Sequence, residues 1–226
     1  MAAALQAGAT HILLLNNDAS VNAAAIGALH DAMAGDKHIG MIGPLLYRAD
    51  TNTLISAGNR DPGRHFNTLD TTIPNTTLKE VDYVSGSVAL LSSAMLAQVG
   101  LLDEAFFFNT EVADLCMRAR KHGWLTVVHT RARAEHDLHR SSALRDTLYA
   151  YYIVRNRLLY VRKHLGLRVG WMALWGTYGL ALATKLALAN KPQQAMAVWL
   201  GTRDGLRGRF GGQNARVLAA IGATPP

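Results

Sequence analysis

Ile12-Leu13-Leu14-Leu15-Asn16-Asn17-Asp18-Ala19-Ser20 is the stretch from which the fold is read. Its apolar run predicts a buried strand, and the two amides and one carboxylate that follow predict that the strand stops where a loop begins. In an open α/β sheet, ligands settle beyond the carboxyl ends of the strands. Asp18, with Asn16 and Asn17 before it, is therefore placed where a hard cation and a diphosphate can be held. Farther along, residues 100–120 gather Asp103, Glu104, Glu111 and Asp114 around the aromatic run Phe106-Phe107-Phe108 before turning helical.

With 226 residues, half of them apolar, the chain can bury the core of one large domain or two small ones, which excludes disorder over most of its length. Cys116 is the single cysteine, so no disulfide forms within the chain, and it reads as a small buried apolar residue in a reducing compartment. No Cys/His set has zinc-site spacing. The opening Met1-Ala2-Ala3-Ala4-Leu5-Gln6 lacks the basic region of a secretory signal and reads as helix. Charge is divided unevenly. Residues 1–140 hold 11 Lys/Arg against 14 Asp/Glu, a net of −3, whereas residues 141–226 hold 12 against 2, a net of +10. Such a basic surplus points to an anionic surface. Nucleic acid is disfavoured, because no RNP, helix-turn-helix or zinc-finger signature accompanies it.

Along the chain, Val21 to Ala34 reads as a helix with Ser20 at its N-cap and Gly35 at its stop, Asp18 being a competing cap. Ile39 to Tyr47 reads as a short strand closed by Gly43-Pro44, and residues 48–79 as an irregular or hairpin-containing excursion. Strand character returns from Val81 to Leu91, interrupted at Ser85-Gly86-Ser87, where Gly86 either admits a ligand close to the backbone or makes a β-bulge. Helices are expected at Ser93–Val99, Glu111–His122 and Leu144–His164, with a strand from Trp124 to His129. Val169 to Thr184 carries no charge, yet its 16 residues fall short of the roughly 20 that cross a bilayer. Arg162, Lys163, Arg168, Lys185 and Lys191 flank it, and Trp171, Trp175 and Tyr178 lie inside it. It suits either a helix lying in the membrane interface or a buried helical hairpin.

The order of Leu14-Leu15-Asn16-Asn17-Asp18, Ile42-Gly43-Pro44, Val81-Asp82-Tyr83-Val84-Ser85-Gly86, Leu102-Asp103-Glu104-Ala105-Phe106-Phe107, Asp114-Leu115-Cys116-Met117-Arg118-Ala119-Arg120, His136 and Arg155-Asn156 resembles that of family 2 glycosyltransferases, especially their bacterial rhamnosyltransferase-like branch. The resemblance covers roughly residues 5 to 165. It implies a GT-A fold, an α/β sandwich with a mixed sheet: residues 1–140 would form an incomplete GT-A core and residues 141–226 a basic, partly amphipathic helical region. It further implies transfer of a sugar, rhamnose in this branch, from a nucleoside diphosphate donor to a hydroxyl of a glycan or lipid-linked acceptor, with inversion. The expected setting is polysaccharide or glycolipid assembly at the cytoplasmic face of the plasma membrane, with the basic region on anionic headgroups. Asp18 matches the metal-binding end of the family's DXD-type motif, and His136 matches a histidine beside the metal and diphosphate. Together they are the candidate ligands for Mg²⁺ or Mn²⁺, and Asn16, Asn17, Asp18 and Gly86 are the donor-binding candidates. The cation neutralises the leaving diphosphate while a carboxylate takes the acceptor proton.

The sequence departs from the family in two places. The acidic motif usually reads Glu-Asp-x-Asp; here it is Glu111-Val112-Ala113-Asp114, and valine accepts no proton. Either Glu111 or Asp114 serves as the base, or the copy is inactive; Asn109 also replaces a tyrosine common before the motif. Relatives also open with a strand and a Val-Asp-Asn-x-Ser segment not found here, so the expectation is a sheet without its first parallel strands. The alternative to an enzyme is thus a catalytically inactive, truncated remnant at the membrane with weak or no nucleotide-sugar binding. Plainer roles compete at other positions: a turn for Asp103 and Glu104, core and acceptor-wall packing for Phe106, Phe107 and Phe108, and a solvated loop for His136.

Overall fold

Successive side chains of β3 (Ile39–Arg48) and β6 (Val88–Ser92) point to opposite faces of a sheet, and both faces are covered. Met41 and Leu91 share one core with Met95 and Leu96 of α3 (Ser93–Val99) and with Leu115, Cys116 and Ala119 of α4 (Glu111–Lys121). Ile42 and Leu90 share the other with Ala25, Leu29 and Met33, which recur every four residues along α2 (Ala23–Gly35). These layers belong to the first of two units, Met1–Leu102 with Val112–Arg140; the second is Asp103–Glu111 with Ser141–Pro226. The computed structural model describes residues 1–137, 143–165 and 169–223, so Arg168 lies outside the described residues.

The sheet runs in the order β1-β6-β3-β7-β2, with β1 at His11–Leu15, β2 at Ala19–Val21 and β7 at Leu125–His136. β4 (Leu54–Ser56) pairs with β3 and β5 (Leu78–Glu80) with β7. Among the described strands β3 and β7 pair in parallel and the other pairs are antiparallel, which makes the sheet mixed. α1 (Ala2–Gln6) precedes β1.

Several expectations change here. β1 is not a fully buried strand: it ends the sheet order, only Ile12 is buried, and Leu15 is half exposed. Ser20 lies in β2, and the α2 cap is Asn22, whose Oδ1 accepts from the Ala25 N–H at 2.8 Å. Gly43-Pro44 does not close β3. It marks an irregularity in the pairing with β7, at a residue with no N–H to donate. Opposite it, Thr130, Arg131 and Ala132 bulge out of β7, and the His129 Nδ1 accepts from the Ala132 N–H at 3.0 Å. The ladder then resumes and carries β7 to His136. The excursion after β3 is tied down by Lys79, whose Nζ donates to Asp70 Oδ2 at 2.9 Å and to Thr72 O at 2.7 Å.

The second unit holds α5 (Ala143–His164), α6 (Val169–Leu188), α7 (Pro192–Arg207) and α8 (Asn214–Ala220). α7 approaches α5 through Gly201 and Gly205, where a Cβ would sit 2.4 Å from the Tyr151 carbonyl oxygen and 2.7 Å from a Leu158 methyl. α6 buries Trp175, Gly176, Gly179 and Ala183 on one side. Trp175 is therefore core, packed with Leu158 and Val161 and with the Arg157 guanidinium 4.1 Å from its ring centre, rather than an interfacial anchor. Among the described residues, no helix is long and apolar enough to cross a membrane.

Cys116 tests the packing of α4 on the sheet. It is fully buried beside Met41, and burial pushes its thiol up to about 11. The native chain should release no colour from Ellman's reagent at about pH 8 and one thiol equivalent only in denaturant. Rapid reaction of the native chain would contradict this core.

Candidate functional site

In the first unit, β1 stops at Leu15 and the chain turns at once. The Asn16 N–H donates to Ser87 O at 2.9 Å and the Ala19 N–H to Asn16 O at 3.1 Å. The turn delivers β2 antiparallel to the end of β7, with Ala19 opposite His136, and the Asp137 N–H donates to Asp18 O at 2.8 Å. This register brings Asp18 Oδ1 within 3.0 Å of His136 Nε2, with side chains 7% and 13% exposed. His136 is thus the last residue of a strand, not a solvated loop histidine. On its other side, Nδ1 lies 3.5 Å from Ser87 Oγ, which is 3.3 Å from Ser85 Oγ. Gly86 sits in the turn between these serines, ahead of β6, so it is not a bulge within a strand. Asn16 and Asn17 are exposed in the turn after β1.

The structure therefore gathers Asp18, His136 and the Ser85-Gly86-Ser87 turn at the carboxyl ends of β1 and β7. Asp18 does not cap the following helix, a task that falls to Asn22. The two serines escaped the sequence reading. Their signal was the Ser-Gly-Ser triplet, of which only the glycine was weighed.

Among the described residues, no group of three or more His, Cys, Asp or Glu could hold a metal ion. Asp18 Oδ1 and His136 Nε2 hydrogen-bond to each other at 3.0 Å, and a cation held by both would take the place of the proton between them. Two donors leave the remaining positions around such a cation to water and phosphate, as divalent ions at phosphate sites commonly have. The Ser87 hydroxyl stands 3.5 Å from Nδ1, on the side of the ring where an outer-shell partner would stand.

The acidic candidates differ sharply. Asp114 is fully buried and accepts from Arg118 Nε at 2.9 Å; the same guanidinium donates to Leu101 O at 2.7 Å and to Val99 O. This ion pair fastens residues 99–101 to α4, which makes Asp114 a positioning group rather than an open carboxylate. Val112 packs into the apolar core beside Leu115 and Cys116.

Glu111 groups with the second unit and starts α4. Among the described residues its buried Oε2 has no hydrogen-bond partner, and burial raises its pKa above the ordinary 4.5. The loop before it is strained: Phe107, Asn109 and Thr110 have φ of 60°, 69° and 75°. For a β-branched residue such as Thr110 that conformation is costly. Two fully buried side chains of α5 hold it. Asn156 Nδ2 donates to Phe106 O at 2.9 Å, Phe108 O at 2.7 Å and Asn109 O at 2.7 Å. Arg155 Nη2 donates to Phe106 O at 2.9 Å, and its Nη1 to Gly211 O. Asp103 organises the start of the loop, accepting from the Ala105 N–H at 2.9 Å and from Lys163 Nζ at 2.7 Å. Phe106 is buried, whereas Phe107 is half exposed with its ring 5.3 Å from that of Tyr152.

No protein-family model matches the chain, and no curated protein matches it. Solved structures do. One is a crystal structure of GalNAc-T7 with UDP, GalNAc and Mn²⁺, similar at a TM-score of 0.50 and 15% identity over 68% of this chain. The chain spans 31% of that protein's chain. At this identity the likeness establishes the fold: an α/β, GT-A-like architecture with a mixed sheet.

Two outcomes follow for the loop. Because the folded state raises the Glu111 pKa, its ionisation penalty is absent below about 4.5 and grows as pH rises through the raised value. Glu111→Gln should therefore be more stable than the parent at about pH 7.5 and equal to it near pH 4 in urea unfolding; equal stability at both would mean that the carboxylate is solvated. Arg155→Met should cost about 3–5 kcal/mol, since it leaves Gly211 O and the buried Asn156 Oδ1 without the guanidinium that donates to them; a loss below about 1 kcal/mol would show that the loop holds itself.

Proposed function

We propose that the chain is an inverting glycosyltransferase that moves a sugar from a nucleoside diphosphate donor to a hydroxyl of a glycan or lipid-linked acceptor. The observation carrying this reading is the Asp18–His136 pair at the carboxyl ends of β1 and β7 in a GT-A-like sheet. The UDP, GalNAc and Mn²⁺ named with the similar structure support it, and the motif order supports rhamnose as the donor sugar.

Asp18 and His136 would hold a divalent cation, whose charge offsets that of the leaving diphosphate. A mixed carboxylate and imidazole set suits Mn²⁺ better than the oxygen-seeking Mg²⁺. Around them the chain contributes short groups: the exposed turn Asn16-Asn17 and the Ser85-Gly86-Ser87 turn, whose glycine keeps side-chain bulk away from a bound donor. Glu111 is assigned the acceptor proton. Its raised pKa makes it a stronger base than a solvated carboxylate, and the unpaired Oε2 is available to receive a hydroxyl proton. Val112 and Asp114 have no part in the transfer, the first because it is apolar and packed in the core, the second because Arg118 holds it.

A second reading, donor binding without transfer, is favoured by one observation: the motif position that usually carries the base is the buried Val112. Calorimetry with a panel of nucleoside diphosphates separates the two. One of them should bind at least about tenfold more tightly with Mn²⁺ present, a gain of about 1.4 kcal/mol, and Asp18→Ala should erase the difference. Glu111→Gln should keep that affinity and lose about 10²–10⁴-fold in sugar transfer. Metal-independent binding would remove the role of Asp18; metal-dependent binding without turnover in the parent would establish the second reading.

A further inference from the structure

We propose that the outward side of α6, with the neighbouring strip of α7, docks flat on an anionic phospholipid surface. α6 has its inner side in the helical core, and its outer side carries Val169, Leu174, Leu180 and Leu188, which are 81%, 40%, 50% and 84% exposed. Between them stand Gly170, Ala173, Thr177, Ala181 and Thr184, spaced by threes and fours along one face, with Ala187 and Lys185 exposed near the end. The single charge in the helix is Lys185, in its last turn. A helix that faces water normally places charge on the side away from the core, and this one places none along about four turns.

α7 extends the surface. Met196, Trp199 and Leu206 recur on its exposed side, and the Arg203 guanidinium lies 4.8 Å from the Trp199 ring centre. Leu206 comes within 3.5 Å of where a Gly176 Cβ would stand, so the strip adjoins α6. An aromatic ring backed by a guanidinium has one apolar and one polar end, the arrangement that suits the headgroup level of a bilayer.

Charge identifies the occupant. From Thr147 to Pro226 the sequence has one acid, Asp204, and it is internal, accepting from the Tyr151 hydroxyl at 2.9 Å and from Arg216. The surface of α6, α7 and α8 therefore presents cations, with Lys185, Lys191, Arg207 and Arg209 exposed, and no carboxylate. A second copy would bring the same +10 region against its own kind. An anionic bilayer meets both requirements at once: headgroups for the cations and acyl chains for an apolar face lying about 5–10 Å deep. No helix here crosses that bilayer, among the described residues.

The test is co-sedimentation of the full chain with phosphatidylcholine vesicles, with and without phosphatidylglycerol. Binding should appear with the anionic lipid and fall as salt rises. The Leu174→Asp, Leu180→Asp double variant, checked for native circular dichroism, should lose at least about tenfold in partitioning, and Lys185→Glu with Lys191→Glu should weaken binding and flatten its salt dependence. The proposal fails if the parent ignores anionic lipid, if it binds neutral vesicles equally well, or if the leucine variant binds like the parent. A concentration-dependent dimer that the leucine variant abolishes, without vesicle binding, would overturn it in favour of self-association. Nucleotide affinity of the leucine variant is read alongside, so failure here is distinguishable from failure of the transferase reading.

Discussion

The parallel ladder between β3 and β7 sets where the first unit can carry chemistry. Parallel strands need both faces covered, and the alternation of Met41 with Ile42 and of Leu90 with Leu91 meets that demand with α3 and α4 on one side and α2 on the other. The ladder breaks at Pro44, where the chain has no N–H to give, and β7 absorbs the break by looping out three residues and capping them on the His129 ring. Because the pairing then resumes, β7 is long enough to meet β2, and only that extra length brings His136 to Asp18. A strand that ended at His129 would leave the imidazole without its carboxylate.

The second unit solves a different problem. A loop with three left-handed residues outside glycine is unfavourable by itself, each costing of the order of 1–3 kcal/mol. Arg155 and Asn156 offset this with donors aimed at the loop's carbonyls, Phe106 O, Phe108 O and Asn109 O. Arginine suits the place for physical reasons. Its planar fork reaches several acceptors from one buried position, and it stacks near the Tyr151 and Tyr152 rings. A lysine would bring a single compact charge and no fork.

Much of this was legible in the sequence, and the misses have causes. The apolar run before Asp18, the α3 bounds, the buried Cys116 and the α/β class followed from hydrophobic pattern and from residue types with fixed local preferences. The length of β7 did not, because Arg131, Arg133 and Glu135 look like loop when the partner strands that pair their backbone are unseen. Ser20 and Asn22 are both good caps, and the choice fell to Asn22 only because β2 claims Ser20. Trp175 fits an interfacial anchor or a buried hairpin equally in the sequence, since composition cannot tell the two sides of an uncharged helix apart; packing against Leu158 and Val161 makes it core. At the candidate site, His136 came from motif order alone, while Ser87 needed the turn geometry to be visible at all.

The acidic motif shows how substitution reshapes a site without emptying it. A carboxylate at position 112 would have to enter the core beside Leu115 and Cys116, where an unpaired charge costs several kcal/mol. Valine there contributes to packing instead, and Asp114 is spent on Arg118. Glu111 is the one acid of the motif left with an unsatisfied buried oxygen, a condition that costs stability of the order of 1–3 kcal/mol and gains nothing for the fold. The strained and clamped loop thus holds a carboxylate whose pKa burial raises, which is the physical basis of the proton-accepting role proposed for it.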